Sequence, residues 1–415
     1  MAPTKFPAEF LWGAAVCAHQ TEGNNVNSDC WFVENVSPTI FKEPSLTACD
    51  SYNRWAEDVD IVKAMGLTAY RFSLEWARIE PSEGTFDAAE IAHYEAIVDR
   101  CHELGLEPVL TMNHFVTPHW FASRGGWLNP QAPELFARFC ATVVAKFGQK
   151  LKYVVTLNEP NLPNMLGIIG LPDFVENLTR DALDAASVKA GVAKYRMANV
   201  VRSDEIDEIE EGLAAGHVAA REAMKAIHPH LQIGLSLAMT DEEYGPGGEA
   251  VAAAVQQRVY GRWVRLVANI DDFIGVQNYS RNRWGADGKK LPNDPAYPET
   301  TMHSEVYPPS LAHCVEWTYA QTNIPVFVTE HGVGTQDDAV RAAFIKPALA
   351  ELKKVIDAGV PVIGYCHWSL LDNFEWIFGY DFTFGLVSVD RQNGFTRTRK
   401  PSSFVLEEVA RNRGL

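Results

Sequence analysis

Seven times between Asp50 and Trp368 a helical stretch runs through a short turn into a brief apolar strand. The helical stretches are Asp50 to Met65, Asp87 to Leu104, Pro133 to Phe147, Glu211 to Ala226, Val251 to Val267, Ser310 to Thr322 and Ala339 to Ala358. The strands that follow begin at Thr68, Glu107, Tyr153, Gln232, Phe273, Val326 and Val362, and a first strand precedes them all at Phe10 to Ala18. Eight strands alternating with helices predict an α/β fold, a single (β/α)8 TIM barrel, with its chemistry at the C-terminal ends of the strands. Two of those ends share a design. Tyr153-Val154-Val155-Thr156-Leu157-Asn158-Glu159-Pro160 and Val326-Phe327-Val328-Thr329-Glu330-His331-Gly332 are β-branched runs that deliver a carboxylate to the tip. Pro160 has no N–H for a ladder, so pairing should stop at Glu159.

Composition narrows the partners. A net charge of -17 on 415 residues disfavours nucleic acid and anionic membrane, both of which need a basic face. There is no apolar run behind a basic N-terminus and no uninterrupted apolar span long enough for a bilayer, so the cytoplasm is the expected location. Cys17, Cys30, Cys49, Cys101, Cys140, Cys314 and Cys366 are an odd, scattered set without Cys-x-x-Cys or zinc spacing. They read as free thiols, mostly in the core, and no metal or cofactor is expected. Without a linker or short-period repeat, residues 1–415 are expected to form one domain. The acidic run Asp204, Glu205, Asp207, Glu208, Glu210 and Glu211 reads as a solvated helix start.

Glu159 and Glu330 should face each other across the barrel mouth. Two carboxylates with no metal-ligand set suit a general acid and a nucleophile working on a glycosidic bond; the plainer alternative is a structural pair, each bound to an arginine. Arg71, at the tip of the second strand, fits beside the carboxylate that must stay ionised, because its charge lowers a neighbouring pKa.

The motifs resemble glycoside hydrolase family 1, the β-glucosidase family of retaining enzymes. They run from Phe10-Leu11-Trp12-Gly13-Ala14-Ala15 and Gln20-Thr21-Glu22-Gly23 through Tyr70-Arg71-Phe72-Ser73 and His114-Phe115. Thr156-Leu157-Asn158-Glu159-Pro160, Thr329-Glu330-His331-Gly332 and His367-Trp368-Ser369 on to Asn373-Phe374-Glu375-Trp376 follow in order. The resemblance implies that Glu159 is the acid/base and Glu330 the nucleophile, with Arg71 and Tyr279 holding it. It also implies that Gln20, His114, Asn158, Glu375 and Trp376 bind sugar hydroxyls and that Trp368 lies under the ring. A hexose needs such a set: amides and carboxylates for its hydroxyls, an indole for its apolar C–H face. A small β-glycoside is the expected partner, and hydrolysis of terminal β-linked glucose the expected activity. A 6-phospho-β-glucosidase is disfavoured because Trp376 is followed by Ile377-Phe378-Gly379-Tyr380 without a lysine, and a catalytically silent sugar-binding barrel because both carboxylates are present.

Three departures from the family pattern stand out. His331 occupies the place of an Asn after the nucleophile, Gln277 replaces an Asn on strand six, and the segments 160–203, 239–249 and 282–323 match poorly. The first two put the tuning of Glu330 in question.

Overall fold

Period-two alternation splits most strands between two cores. Trp12 and Ala14 on β1 (Leu11–Ala15) face the outer helices, as do Tyr70 and Phe72 on β2 (Ala69–Ser73), whereas Ala15 and Ala69 face inward. The computed structural model describes residues 5–170 and 172–415. In it β1, β2, β3 (Glu107–Asn113), β4 (Tyr153–Asn158), β5 (Gln232–Tyr244), β6 (Ile274–Trp284), β7 (Val326–His331) and β8 (Val362–Trp368) close into a parallel barrel in sequence order. Tyr153, Phe273 and Phe327 meet edge to face inside, with centroids 5.6 to 6.0 Å apart, so the barrel floor is filled and the open end is the mouth. Closure leaves no room for a side chain at Gly13, where a Cβ would stand 2.7 Å from Cys366 Sγ.

The expected helices recur within a residue or two of their sequence bounds, with two exceptions. Val251 to Val267 is two helices, Glu249–Val259 and Gly261–Ile270, broken at Tyr260, whose buried ring packs on Trp317 ahead of a glycine. The fourth expected helix starts earlier, at Ile206, behind a short turn at Ser203–Glu205. The acidic run there is not wholly solvated. Glu205 pairs with buried Arg196 (Nη2 to Oε1 2.9 Å), and Glu210 is buried on the helix face.

Strands β5 and β6 run past the barrel to Tyr244 and Trp284, where Asp241 pairs with Arg281 and Glu243 with Arg283 in register. Sequence alone ends these strands at Leu237 and Tyr279, because the charged residues beyond carry no apolar strand signature. The stretch after β4 carries two helices, Leu162–Ile169 and Asp173–Ala190. Beyond β8 come a hairpin of β9 (Val387–Asp390) and β10 (Thr396–Arg399) and a helix, Pro401–Asn412, that packs on Asp338–Asp357. All seven cysteines are unpaired and buried, and no helix among the described residues is long and apolar enough to cross a membrane.

Candidate active site

Simple alternation would turn Asn158 and Glu330 away from the mouth's axis, and a bulge corrects each strand. On β4, Val155 is opposite Gly234 but Asn158 is opposite Ser236, so β4 carries one extra residue. Leu157 consequently packs on the outer core although Tyr153 and Val155 face inward, and Asn158 turns to the mouth. On β7, Val276 is opposite Val328 and Gln277 opposite Glu330, again with one extra residue. Val326 and Val328 face outward, Glu330 inward. Glu159 itself sits at φ +47, in the left-handed region that a non-glycine residue occupies only when its surroundings hold it there.

A cavity of about 300 Å3 opens at this end. Of the ten residues singled out from sequence, His114, Glu159, Tyr279, Glu330, Trp368, Glu375 and Trp376 line it. Arg71, Asn158 and Gln20 stand behind, each tied to the wall. Arg71 Nη1 donates to Glu330 Oε1 (2.5 Å) and its Nη2 to Asn158 Oδ1 (2.5 Å). The Tyr279 hydroxyl donates to Glu330 Oε2 (2.5 Å), and Gln20 Nε2 reaches Glu375 Oε2 at 3.3 Å.

Electrostatics separate the two carboxyls. Burial raises the Glu330 pKa above the ordinary carboxylate value, and the Arg71 charge and the Tyr279 hydrogen bond pull it back. Glu159 is pushed up much further, by burial and then by the charge of Glu330, and no protein hydrogen bond to its carboxyl among the described residues offsets this. The pair can therefore hold one proton, on Glu159. Glu375 is raised to about 8 by burial and by Glu330, so near neutral pH it can donate as well as accept. Burial and the Arg71 charge hold His114 far below its usual pKa, as a neutral ring 4.0 Å from Glu330.

The wall is short of partners in a way a polyhydroxylated ligand would repair. Gln20 Oε1, His114 Nδ1, Asn158 Nδ2 and Gln277 Oε1 are buried without a protein hydrogen bond. Trp376 is supported from behind: the His19 ring lies parallel to it at 5.8 Å, with Nε2 on Glu34 Oε1 at 2.8 Å. The sequence reading missed His19 and Glu34, for which nothing but position beside Gln20 offers a signal.

The two departures on the strands turn out differently. His331 faces outward, its Nδ1 3.1 Å from the Tyr365 hydroxyl and its ring against Phe344, and burial lowers its pKa to about 3. Gln277 donates to Asn158 Oδ1 (2.8 Å), not to Glu330. A separate cluster, Asp241, Glu243 and His313, brings three ligand-type atoms within 4.8 Å, but His313 Nδ1 already pairs with Asp241 (2.7 Å) and Arg281 with Glu243 (2.8 Å). It lies off the cavity wall and reads as an ion-pair network.

A sequence profile of the family described as Glycosyl hydrolase family 1 matches residues 2–189 and 264–415. The unmatched stretch overlaps two of the segments that depart from the family pattern, whereas 282–323 falls inside the match. Beta-glucosidase A of Thermotoga maritima is 29% identical over 99% of both chains. Among solved structures, the crystal structure of beta-glycosidase BGL167 superposes with a TM-score of 0.92 at 40% identity, covering 99% of this chain and 98% of that one. The apo structure of a beta-glucosidase superposes at 0.91 with 36% identity, over 97% and 98%.

Proposed function

The chain belongs to glycosyl hydrolase family 1 and is a β-glycosidase, and we propose that it is a retaining β-glucosidase in which Glu330 is the nucleophile and Glu159 the acid/base. One observation carries the assignment: Arg71 and Tyr279 both bind Glu330 and neither binds Glu159. Two carboxyls in one cavity thus differ in charge environment, as an ionised nucleophile and a protonated acid require.

In the first step a Glu330 oxygen attacks the anomeric carbon while the glycosidic oxygen leaves with the Glu159 proton. An ester joins sugar to Glu330, and the negative charge that raised Glu159 is gone. With that charge gone the Glu159 pKa falls, so the carboxylate left by the first step stays ionised and acts as general base: it takes a proton from water, which attacks the same carbon and frees Glu330. Two displacements return a β sugar. Arg71 and Tyr279 hold Glu330 in line throughout and stabilise its charge before and after the ester.

Glucose is supported as the sugar by the wall. Glu375, Gln20, His114 and Trp376 suit free hydroxyls, Trp368 the ring face, and among the described residues no lysine or arginine lines the cavity to receive a 6-phosphate. Replacing Glu159 by Gln is expected to lower kcat/KM by about 10²–10⁴-fold for alkyl glucosides, which need a proton on the leaving oxygen, and far less for dinitrophenyl glucoside. Equal losses across leaving groups would make Glu159 structural.

A further inference from the structure

The cavity wall that remains once the sugar-facing residues are assigned has a chemistry of its own. Leu162, Met165 and Leu166 recur at i, i+3 and i+4 on the helix Leu162–Ile169 and form one apolar stripe on the cavity. Met239 from β5, Met302 and Phe378 join them. Met302 and Phe378 are 39% and 41% exposed, so the apolar wall reaches solvent at the mouth. The helix begins three residues past Glu159. In a displacement at the anomeric carbon, nucleophile and leaving group occupy opposite faces, so the departing oxygen lies on the Glu159 side and its substituent is carried toward the stripe.

Polar groups are few there. The Thr240 hydroxyl donates to Met165 Sδ (3.4 Å), and Asn199 Oδ1 is buried on this wall without a protein partner. A second sugar would bring several hydroxyls against methionine and leucine, each unpaired group costing about 1–3 kcal/mol. An apolar body with a single donor would fill the stripe and satisfy Asn199.

We propose that the leaving group for which this enzyme is shaped is an apolar alcohol or phenol, an alkyl chain or aryl ring system with one hydrogen-bond donor for Asn199, in preference to a second sugar. The proposal rests on the assignment of Glu159 and Glu330. The reaction is unchanged: the glycosidic C–O bond breaks, the oxygen takes the Glu159 proton, and water supplies the hydroxyl of the released sugar.

The test compares β-glucosyl fluoride, methyl, n-butyl, n-hexyl and n-octyl β-glucosides, and cellobiose as substrates of the full-length enzyme. Alkyl alcohols leave with similar difficulty, so differences report the leaving-group pocket. From methyl to hexyl, kcat/KM is expected to rise roughly fourfold per methylene, the factor for burying one such group. Octyl glucoside should exceed cellobiose by at least about tenfold. In a Met165→Gln, Leu166→Gln double variant the ratio of octyl glucoside to glucosyl fluoride should fall about tenfold, a ratio that partial misfolding does not change. A flat alkyl series, or cellobiose matching octyl glucoside, with the fluoride still hydrolysed, would overturn the proposal and leave the catalytic assignment standing. Failure to turn over the fluoride would overturn both.

Discussion

Glu159 and Glu330 share a cavity, and what separates their roles is which side chains reach them. Arg71 and Tyr279 stabilise the ionised form of Glu330, while Glu159 meets burial and the charge of its neighbour, both of which favour its protonated form. The sign of the pH dependence follows. An acid works while protonated, so kcat/KM should fall as pH rises through the elevated Glu159 pKa, and fall again toward acid as Glu330 takes up a proton. With Glu159→Gln and dinitrophenyl glucoside, the alkaline limb should disappear while the acid limb stays. Persistence of the alkaline limb would assign it to another group, and Glu375, raised to about 8, is the neighbour to examine. The two glutamates were legible in the sequence because each ends a β-branched run. The hydrogen bonds of Arg71 were legible only as proximity, since a sequence states neither a bond nor its partner. His19 and Glu34, packed behind Trp376, left no pattern at all, because the contact joins the turn after β1 to the loop after β8.

Elements set where side chains point, and here the bulges on β4 and β7 matter more than the strands' mere presence. They break period-two alternation just before Asn158 and Glu330, bring both to the mouth, and leave His331 on the outer face against Phe344 and Tyr365. From sequence, His331 looked able to tune the nucleophile beside it. Its placement instead gives it a packing role, joined through the Tyr365 hydroxyl to His367 at 3.0 Å. His331→Asn should therefore lower stability in chemical denaturation by roughly 1–3 kcal/mol, through a disturbed buried network, and leave kcat/KM nearly unchanged. A folded, fully stable variant with a collapsed kcat would place the ring in the service of Glu330. Bulges are invisible to pattern reading because the residues at them, Thr156 and Leu157 on β4 and Thr329 on β7, are equally at home in a regular strand. The long β5 and β6 were hidden for the opposite reason, as their extensions are charged and paired edge to edge.

At the scale of the molecule, one closed barrel does the gathering. Glu159 and Glu330 lie 171 positions apart in the chain, and the order β1 to β8 sets their strands three places apart around the ring, so the tips converge on one cavity. The eightfold alternation made that fold readable from sequence; the irregular stretch after β4, which supplies the apolar stripe, was readable only as a departure from family pattern. The most direct test of the account is to trap its intermediate. A 2-fluoro β-glucoside with a dinitrophenolate leaving group slows both displacements but loads the nucleophile faster than water unloads it. Mass spectrometry of the inactivated enzyme should find one added fluoroglucosyl group, on the peptide that carries Glu330, with activity returning as the group is lost. An adduct on Glu159 or another carboxylate, or turnover of the natural glucoside to an α product with no adduct formed, would contradict the assignment.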